Sequence, residues 1–156
     1  INTNHISDTK SPFTWKIWIK TNGVGENTRD YNMTSSTGSN SNNVHLMVRP
    51  DGTVEASYGG GSGASTGPEE TTDDLDNNWH LTTLTWDGNK GRLYIDATEE
   101  DYDKTSPYES LGSIYIGTRG VAQIRSDFNY TGLADDPMVA NKALSSTEIL
   151  DYYNSF

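Results

Sequence analysis

Apolar and polar residues alternate along several short stretches of this 156-residue chain, most clearly from Phe13 to Lys20. Within that stretch Phe13, Trp15, Ile17 and Ile19 occupy every second position. A period of two is that of a β-strand with one buried face. We therefore predict a strand here, with these apolar residues facing the core.

The stretch from Trp79 to Asp96 predicts a β-hairpin. Its first half is rich in Thr, Leu and Trp, which suit a half-buried strand. Asp87-Gly88-Asn89 then supplies the turn, and Leu93-Tyr94-Ile95 returns as the antiparallel partner. We expect Trp79, at the start of the hairpin, to be buried, so that its truncation to alanine costs about 3–5 kcal/mol.

Similar patterns predict strands at Tyr31–Met33, Val44–Val48, Thr53–Tyr58 and from Ile114 onward. The segment Gly59–Pro68, GGGSGASTGP, has the composition of an exposed loop. Neither of its flanks carries enough apolar residues to close a second core. The sequence therefore predicts a single domain over residues 1–156.

A short helix is predicted near the end of the chain. Ser145 and Glu148 have the spacing of a capping box, with Ser145 as the N-cap. The helix should run from about Ser146 to Tyr153. We expect Ile149, Leu150 and Tyr153 to face the body of the protein.

Four segments together resemble the laminin G-like domains of the concanavalin A-like lectin and glucanase superfamily. They are WHLTTLTWDGNKGRLYID from Trp79, FTWKIWIK from Phe13, IYIG from Ile114, and the stretch from Tyr130 to Ile149. The resemblance covers residues 6–153 in the family's order. It implies an all-β jelly-roll sandwich of two antiparallel sheets with a short C-terminal helix.

The sequence departs from the family pattern at two positions. Ala97 stands where the family has Gly, and Pro137 stands where it has an apolar strand residue. The family also has one more strand before the position of Ile1. We therefore expect the chain to be part of a longer polypeptide that works with other domains or subunits of a larger assembly.

Composition excludes several partners. The net charge of −11 repels a phosphate backbone, so nucleic acid is an improbable partner. No apolar run approaches the roughly 18 residues of a membrane span, so membrane insertion is not expected. Apolar residues make up 32% and aromatic residues 10%, which predicts a core rich in Trp and Tyr.

Catalytic motifs are weak. Gly63–Gly67 matches the GxSxG pattern, but without the strand-to-helix turn that this motif needs. The catalytic relatives of the fold carry an ExDxxE strand, which is absent; residues 99–103 alternate acids only in a polar region. His5, His45 and His80 are interpreted as structural. We expect no enzyme, with an inactive or divergent glycoside hydrolase relative as the third interpretation.

Oxygen ligands suggest a calcium site. Asp74, Asp76 and Asn78 imitate half of an EF-hand loop, but the turn Gly and the bidentate Glu are missing. The resemblance places Asp135, followed by Asp136, where many relatives have an acid of a structural calcium site. The alternative is a strand-end acid that accepts hydrogen bonds from backbone amides.

A sugar site needs exposed aromatic rings beside polar groups. The candidates off the predicted core face are Trp18, Trp86, Tyr94 and Tyr115, with Asp87 and Asn89 at the hairpin tip. The alternative is that these aromatic residues pack the interior.

The resemblance therefore favours a non-catalytic recognition or adhesion module that binds a glycan or a surface protein, located extracellularly or on a cell or virion surface. The alternative is a structural or assembly domain, such as part of a virion appendage, with no glycan ligand.

Overall fold

The protein is described by a computed structural model over residues 11–22, 30–36, 44–57, 69–70, 75–100, 113–117 and 130–156. The elements in these ranges are β1 Phe13–Lys20, β2 Asp30–Ser36, β3 His45–Val48, β4 Val54–Ser57, β5 Glu69–Glu70, β6 Trp79–Trp86, β7 Gly91–Ile95, β8 Thr98–Glu99, β9 Ser113–Ile116, β10 Leu133–Ala140 and α1 Ser146–Tyr153. The predicted loop Gly59–Pro68, His5, Asp74 and residues 101–103 lie outside the described residues.

The strands of the described ranges form two five-stranded sheets. The first sheet has the order β10-β1-β6-β7-β8, and the second has the order β5-β4-β3-β2-β9. Neighbouring strands are antiparallel throughout. Two antiparallel sheets with one short C-terminal helix confirm the predicted concanavalin A-like sandwich.

The predicted hairpin forms between β6 and β7, with Leu84 opposite Leu93. Gly88 adopts a φ of 98°, and the Asp87 amide donates to the Lys90 carbonyl across the tip at 3.1 Å. Such a φ favours glycine because it has no Cβ. The local turn residues therefore set the register of this hairpin.

The main core lies between the sheets. As predicted, Phe13, Trp15, Ile17 and Ile19 on the inner face of β1 are all 0% exposed. They share one apolar cluster with residues of the second sheet such as Leu46. The period-two pattern of β1 therefore identified the buried face correctly.

Helix α1 begins with the predicted capping box and packs on the outer face of the first sheet. Ile149 is 1% exposed and shares a second cluster with Trp18, Leu81 and Tyr94. Leu150 is 47% exposed, so the prediction that it faces the sandwich is wrong. It follows Ile149 by about 100° of helical rotation, which carries it out of the contact.

The turn between β7 and β8 consists of Asp96 and Ala97, with φ values of 49° and 64°. Two consecutive positive φ values are typical of a type I′ hairpin turn. Ala97 occupies the position where the family has Gly and adopts the backbone conformation that Gly favours. Within the described residues, no helix is long and apolar enough to cross a membrane.

Candidate functional site

The predicted ligand-binding residues do not meet at one place. Trp86 is opposite Phe13 and is 0% exposed in the core between the sheets. Residues directly opposite each other on neighbouring strands share a face. The prediction that Trp86 lies off the core face is therefore wrong.

Trp18 and Tyr94 lie on the outer face of the first sheet, but they are only 4% and 3% exposed. Both pack against Ile149 of α1. The expectation that these rings are accessible to a ligand is wrong because the helix covers them. Tyr115 is partly buried on β9 of the other sheet, so it does not join them.

Asp87 stabilises the β6–β7 turn. Its Oδ1 accepts hydrogen bonds from the amides of Asn89 at 2.9 Å and Lys90 at 2.7 Å, and its Oδ2 accepts one from Arg92 at 2.8 Å. Burial raises the pKa of Asp87, but the bonds from Arg92 and the two amides outweigh it and leave that pKa below its ordinary value. The Asn89 side chain is exposed. These contacts give Asp87 a structural role in the turn.

Arg92 and Glu99 link Asp87 to Tyr94. The Arg92 Nε lies 3.7 Å from Glu99 Oε1, and the Tyr94 hydroxyl donates to Glu99 Oε2 at 3.3 Å. Burial and the neighbouring Glu99 raise the pKa of Tyr94 to about 12. Sequence reasoning missed Arg92 and Glu99, although the alternation of β7 places Arg92 and Tyr94 on one face.

Trp79 is the exposed tryptophan. It is 36% exposed, so the prediction that it is buried is wrong. Trp79 lies opposite Lys20 on β1, and Lys20 lies opposite Leu133 on β10, which is 54% exposed. We call Trp79, Lys20 and Leu133 the Trp79 platform. It is a row across the first sheet on its outer face.

The segment before Trp79 is held by its own side chains. Asp76 accepts hydrogen bonds from the Asn78 amide at 2.7 Å and from the Asn78 side chain at 2.8 Å. Its carbonyl accepts one from the Thr21 hydroxyl at 3.1 Å. Asn77 and Asn78 are exposed. These bonds preorganise polar groups at the edge of the platform.

His80 connects this segment to the β7–β8 turn. Its Nδ1 lies 2.7 Å from Asp96 Oδ2, and its Nε2 lies 3.0 Å from Asp76 Oδ1. Burial lowers the pKa of His80, but the bonds to Asp96 and Asp76 outweigh it and hold that pKa above 6.5. These partners agree with the structural role predicted for His80.

A second charged cluster lies on the second sheet. The Glu55 carboxylate, 3% exposed, lies 3.1 Å from His45 Nε2 and 2.9 Å from an Arg49 guanidinium nitrogen. A carboxylate this deeply buried needs such partners. We interpret the cluster as structural, which agrees with the prediction for His45.

The described carboxyl groups with a shifted pKa are all held below their ordinary values. They are Asp51, Asp76, Asp87, Asp136 and Glu148. A glycosidase acid needs a raised pKa so that it keeps its proton. This group of carboxyls therefore offers no proton donor of that kind.

The predicted calcium ligands are engaged within the protein. Asp136 accepts a hydrogen bond from the Tyr152 hydroxyl, and its Oδ2 lies 3.4 Å from the Lys16 ammonium. Asp135 Oδ1 accepts a hydrogen bond from the Asp136 amide at 2.8 Å. The register of β10 shifts here, and its edge position tolerates Pro137, which has no amide hydrogen.

The described residues contain no group of three or more His, Asp or Glu side chains arranged for a metal ion. Asp136 is already paired with Lys16 and with the Tyr152 hydroxyl, and we derive no step through an ion. Calcium binding at Asp135 stays a prediction. A higher unfolding temperature in calcium than in chelator, lost in Asp135→Asn, would support it.

A laminin G family model, described as the concanavalin A-like lectin/glucanases superfamily, matches residues 1–150. The chain belongs to this superfamily. The match agrees with the resemblance found in the sequence and with the two-sheet architecture. No curated protein sequence matches this superfamily member significantly.

Solved structures share the fold of this superfamily member at low identity. Trypanosoma rangeli sialidase in complex with 2,3-difluoro-KDN matches with a TM-score of 0.72, 13% identity, and 94% of this chain against 23% of that one. Botulinum neurotoxin type C, whose cell entry depends on interaction with two ganglioside molecules, matches with a TM-score of 0.68 and 16% identity, over 93% of this chain and 36% of that one.

The binding domain of botulinum neurotoxin DC, in complex with rat synaptotagmin II, matches with a TM-score of 0.68, 14% identity, and 96% of this chain against 37% of that one. The chain spans between 23% and 37% of these three proteins. At these identities the likeness establishes the fold.

Proposed function

We propose that the protein is a non-catalytic glycan-recognition module of an extracellular, cell or virion surface, and that the Trp79 platform contacts the sugar. The observation that carries this proposal is the exposure of Trp79. The other three tryptophans, Trp15, Trp18 and Trp86, are at most 4% exposed, whereas Trp79 is 36% exposed beside Lys20 and the exposed Leu133.

Trp79 has the chemistry that a sugar site needs. The flat indole packs against the apolar C–H face of a sugar ring, while its N–H and nearby polar groups bond to hydroxyls. Lys20 supplies three ammonium donors on the same face. The exposed amides of Asn77 and Asn78 precede Trp79 in the chain and supply both donors and acceptors.

The comparisons support the ligand class. The superfamily is named for lectins and glucanases, and the structural neighbours include a sialidase in complex with sialic acid and a neurotoxin whose cell entry depends on two ganglioside molecules. The synaptotagmin complex of another neighbour makes a protein ligand the second class to test. A recognition role without catalysis is supported by the sequence, which lacks the ExDxxE strand carried by the catalytic relatives of the fold.

A glycan array that includes neutral and acidic sugars tests the proposal with three proteins: wild type, Trp79→Ala and Leu150→Ala. Leu150 is a matched control because it is a large apolar residue, 47% exposed, on α1. We expect specific binding by wild type and by Leu150→Ala. Trp79→Ala should weaken the binding about tenfold.

Two outcomes would contradict the proposal. Equal binding by wild type and Trp79→Ala would place the sugar site elsewhere. Complete silence on the array, together with stable self-assembly in sedimentation, would favour the alternative of a structural or assembly domain. Urea unfolding of each variant checks that a loss of binding is not caused by a loss of the folded state.

A further inference from the structure

A second aromatic ring lies on the outer face of the first sheet. Phe156 is 63% exposed and stacks on Trp18, with ring centroids 4.3 Å apart and an interplanar angle of 25°. Trp18 also stacks on Tyr153 at 5.5 Å and is itself only 4% exposed. Phe156 therefore presents a ring to solvent over a fixed aromatic support.

The strand register places this ring close to the Trp79 platform. Lys20 lies opposite Trp79, and Trp18 precedes Lys20 by two residues on the same face of β1. Trp18 and Trp79 are therefore diagonal neighbours, whose Cα atoms lie about 7–8 Å apart in the plane of the sheet. Phe156 covers Trp18, so the two exposed rings, Phe156 and Trp79, lie over neighbouring positions of the sheet.

From this spacing, and resting on the proposed function, we infer that Phe156 and Trp79 are two aromatic subsites for successive sugars of a linear oligosaccharide. Trp79 stacks one sugar ring, and Phe156, supported by Trp18, stacks another. Lys20, opposite Trp79 and two residues after Trp18 on β1, neighbours both positions, and its ammonium bonds to hydroxyl or carboxylate oxygens of the oligosaccharide. The ligand class is thus an extended glycan rather than a single terminal sugar.

The small size of this surface and the net charge of the chain favour an oligosaccharide over other occupants. Two aromatic side chains offer at most about 500 Å² of contact area. A stable protein interface needs about 800 Å² on each partner, so two rings alone are too small for a second copy. The net charge of −11 disfavours an anionic membrane.

The test measures affinity as a function of ligand length. Cello-, chito- and manno-oligosaccharides of one to four sugars are titrated into wild type, Phe156→Ala, Phe156→Leu, Phe156→Tyr and Trp79→Ala, using calorimetry or NMR. Phe156→Leu keeps an apolar cover over Trp18 but removes the aromatic face. Phe156→Tyr keeps the ring.

We expect wild-type affinity for at least one series to rise with length, by about threefold to tenfold once the second subsite is filled. Phe156→Ala and Phe156→Leu should lose this gain but bind the shortest ligand as wild type does. Phe156→Tyr should keep the gain of affinity with ligand length. Trp79→Ala should weaken binding at every length.

An unchanged length dependence in Phe156→Leu would overturn the second subsite while leaving glycan binding at Trp79 intact. Self-association of wild type that Phe156→Leu abolishes would also overturn it, because the ring would then be a protein contact. If wild type binds none of these series and nothing on the array, the proposed function fails and this inference fails with it.

Discussion

Ala97 is held in a left-handed backbone conformation, with a φ of 64°, in the turn between β7 and β8. A Cβ in this region clashes with the backbone, at a cost of about 1–2 kcal/mol. Replacing Ala97 by Gly removes this cost, but part of the benefit is offset because glycine loses more backbone freedom on folding. We therefore predict that Ala97→Gly raises the free energy of unfolding by about 0.5–1 kcal/mol in urea melts.

Ala140→Gly is the matched control, because Ala140 lies in β10 and does not have a positive φ. There the same substitution should lower the free energy of unfolding by about 0.5–1 kcal/mol. A loss of stability in Ala97→Gly similar to that in Ala140→Gly would mean that the turn does not strain Ala97.

His80 makes stability depend on pH. Both of its ring nitrogens face carboxylate oxygens, of Asp96 and Asp76, so both must donate, and the imidazolium is the form that does so. The pKa of His80 is raised above 6.5 in the folded protein. Its stabilising contribution is therefore complete below about pH 6.5 and is lost as pH rises through the folded-state pKa.

We predict that the free energy of unfolding, measured in urea from pH 6 to pH 9, falls with rising pH because of His80. Asp96→Asn removes one carboxylate partner and should flatten this dependence. The same slope in wild type, Asp96→Asn and His80→Gln would show that another group titrates in this range.

At the scale of elements, α1 is the element that divides the outer face of the first sheet. Its residue Ile149 is 1% exposed over Trp18, Leu81 and Tyr94, whereas Leu150 is 47% exposed. Truncating a buried Ile to Ala costs about 2–5 kcal/mol, and exposed positions usually change stability by less than about 0.5 kcal/mol. We therefore predict that Ile149→Ala lowers the free energy of unfolding by about 2–5 kcal/mol and Leu150→Ala by less than about 0.5 kcal/mol.

Thermal or urea unfolding of the two variants measures the difference. Tryptophan fluorescence should also change in Ile149→Ala, because Trp18 loses a packing partner. Equal losses in both variants would mean that α1 contacts the sheet through a different face.

At the scale of the whole molecule, local signals predicted strands and the helix bounds, and together with the family resemblance they predicted the sandwich. Alternation in β1 identified its core face, and Ser145 with Glu148 marked the start of α1. Exposure on the outer face is not a local property. Trp18 and Trp79 both point outward, and only the position of α1 decides that Trp18 is covered and Trp79 is not.

The prediction for the face of β6 on which Trp86 lies was wrong for a related reason. It depends on which residues of β1 and β6 are paired, and the structure pairs Trp86 with Phe13. Arg92 and Glu99 were missed because their contact with Asp87 and Tyr94 forms across β7 and β8. Such contacts follow from strand order, which residue patterns alone do not contain.

Because Trp79 is exposed, its truncation to alanine should cost about 1 kcal/mol, well below the cost of removing a buried Trp. Urea melts of Trp79→Ala check this value. A loss above about 3 kcal/mol would show that the indole is packed in the folded protein. A small loss would make this variant a clean probe of binding.

The most direct test of glycan recognition at Trp79 is the NMR titration of the indole N–H signals of the four tryptophans with an array-positive glycan. We predict that the Trp79 signal shifts in a saturable manner, while the signals of the core residues Trp15 and Trp86 stay in place. Saturable binding that leaves the Trp79 signal unmoved would contradict the proposal.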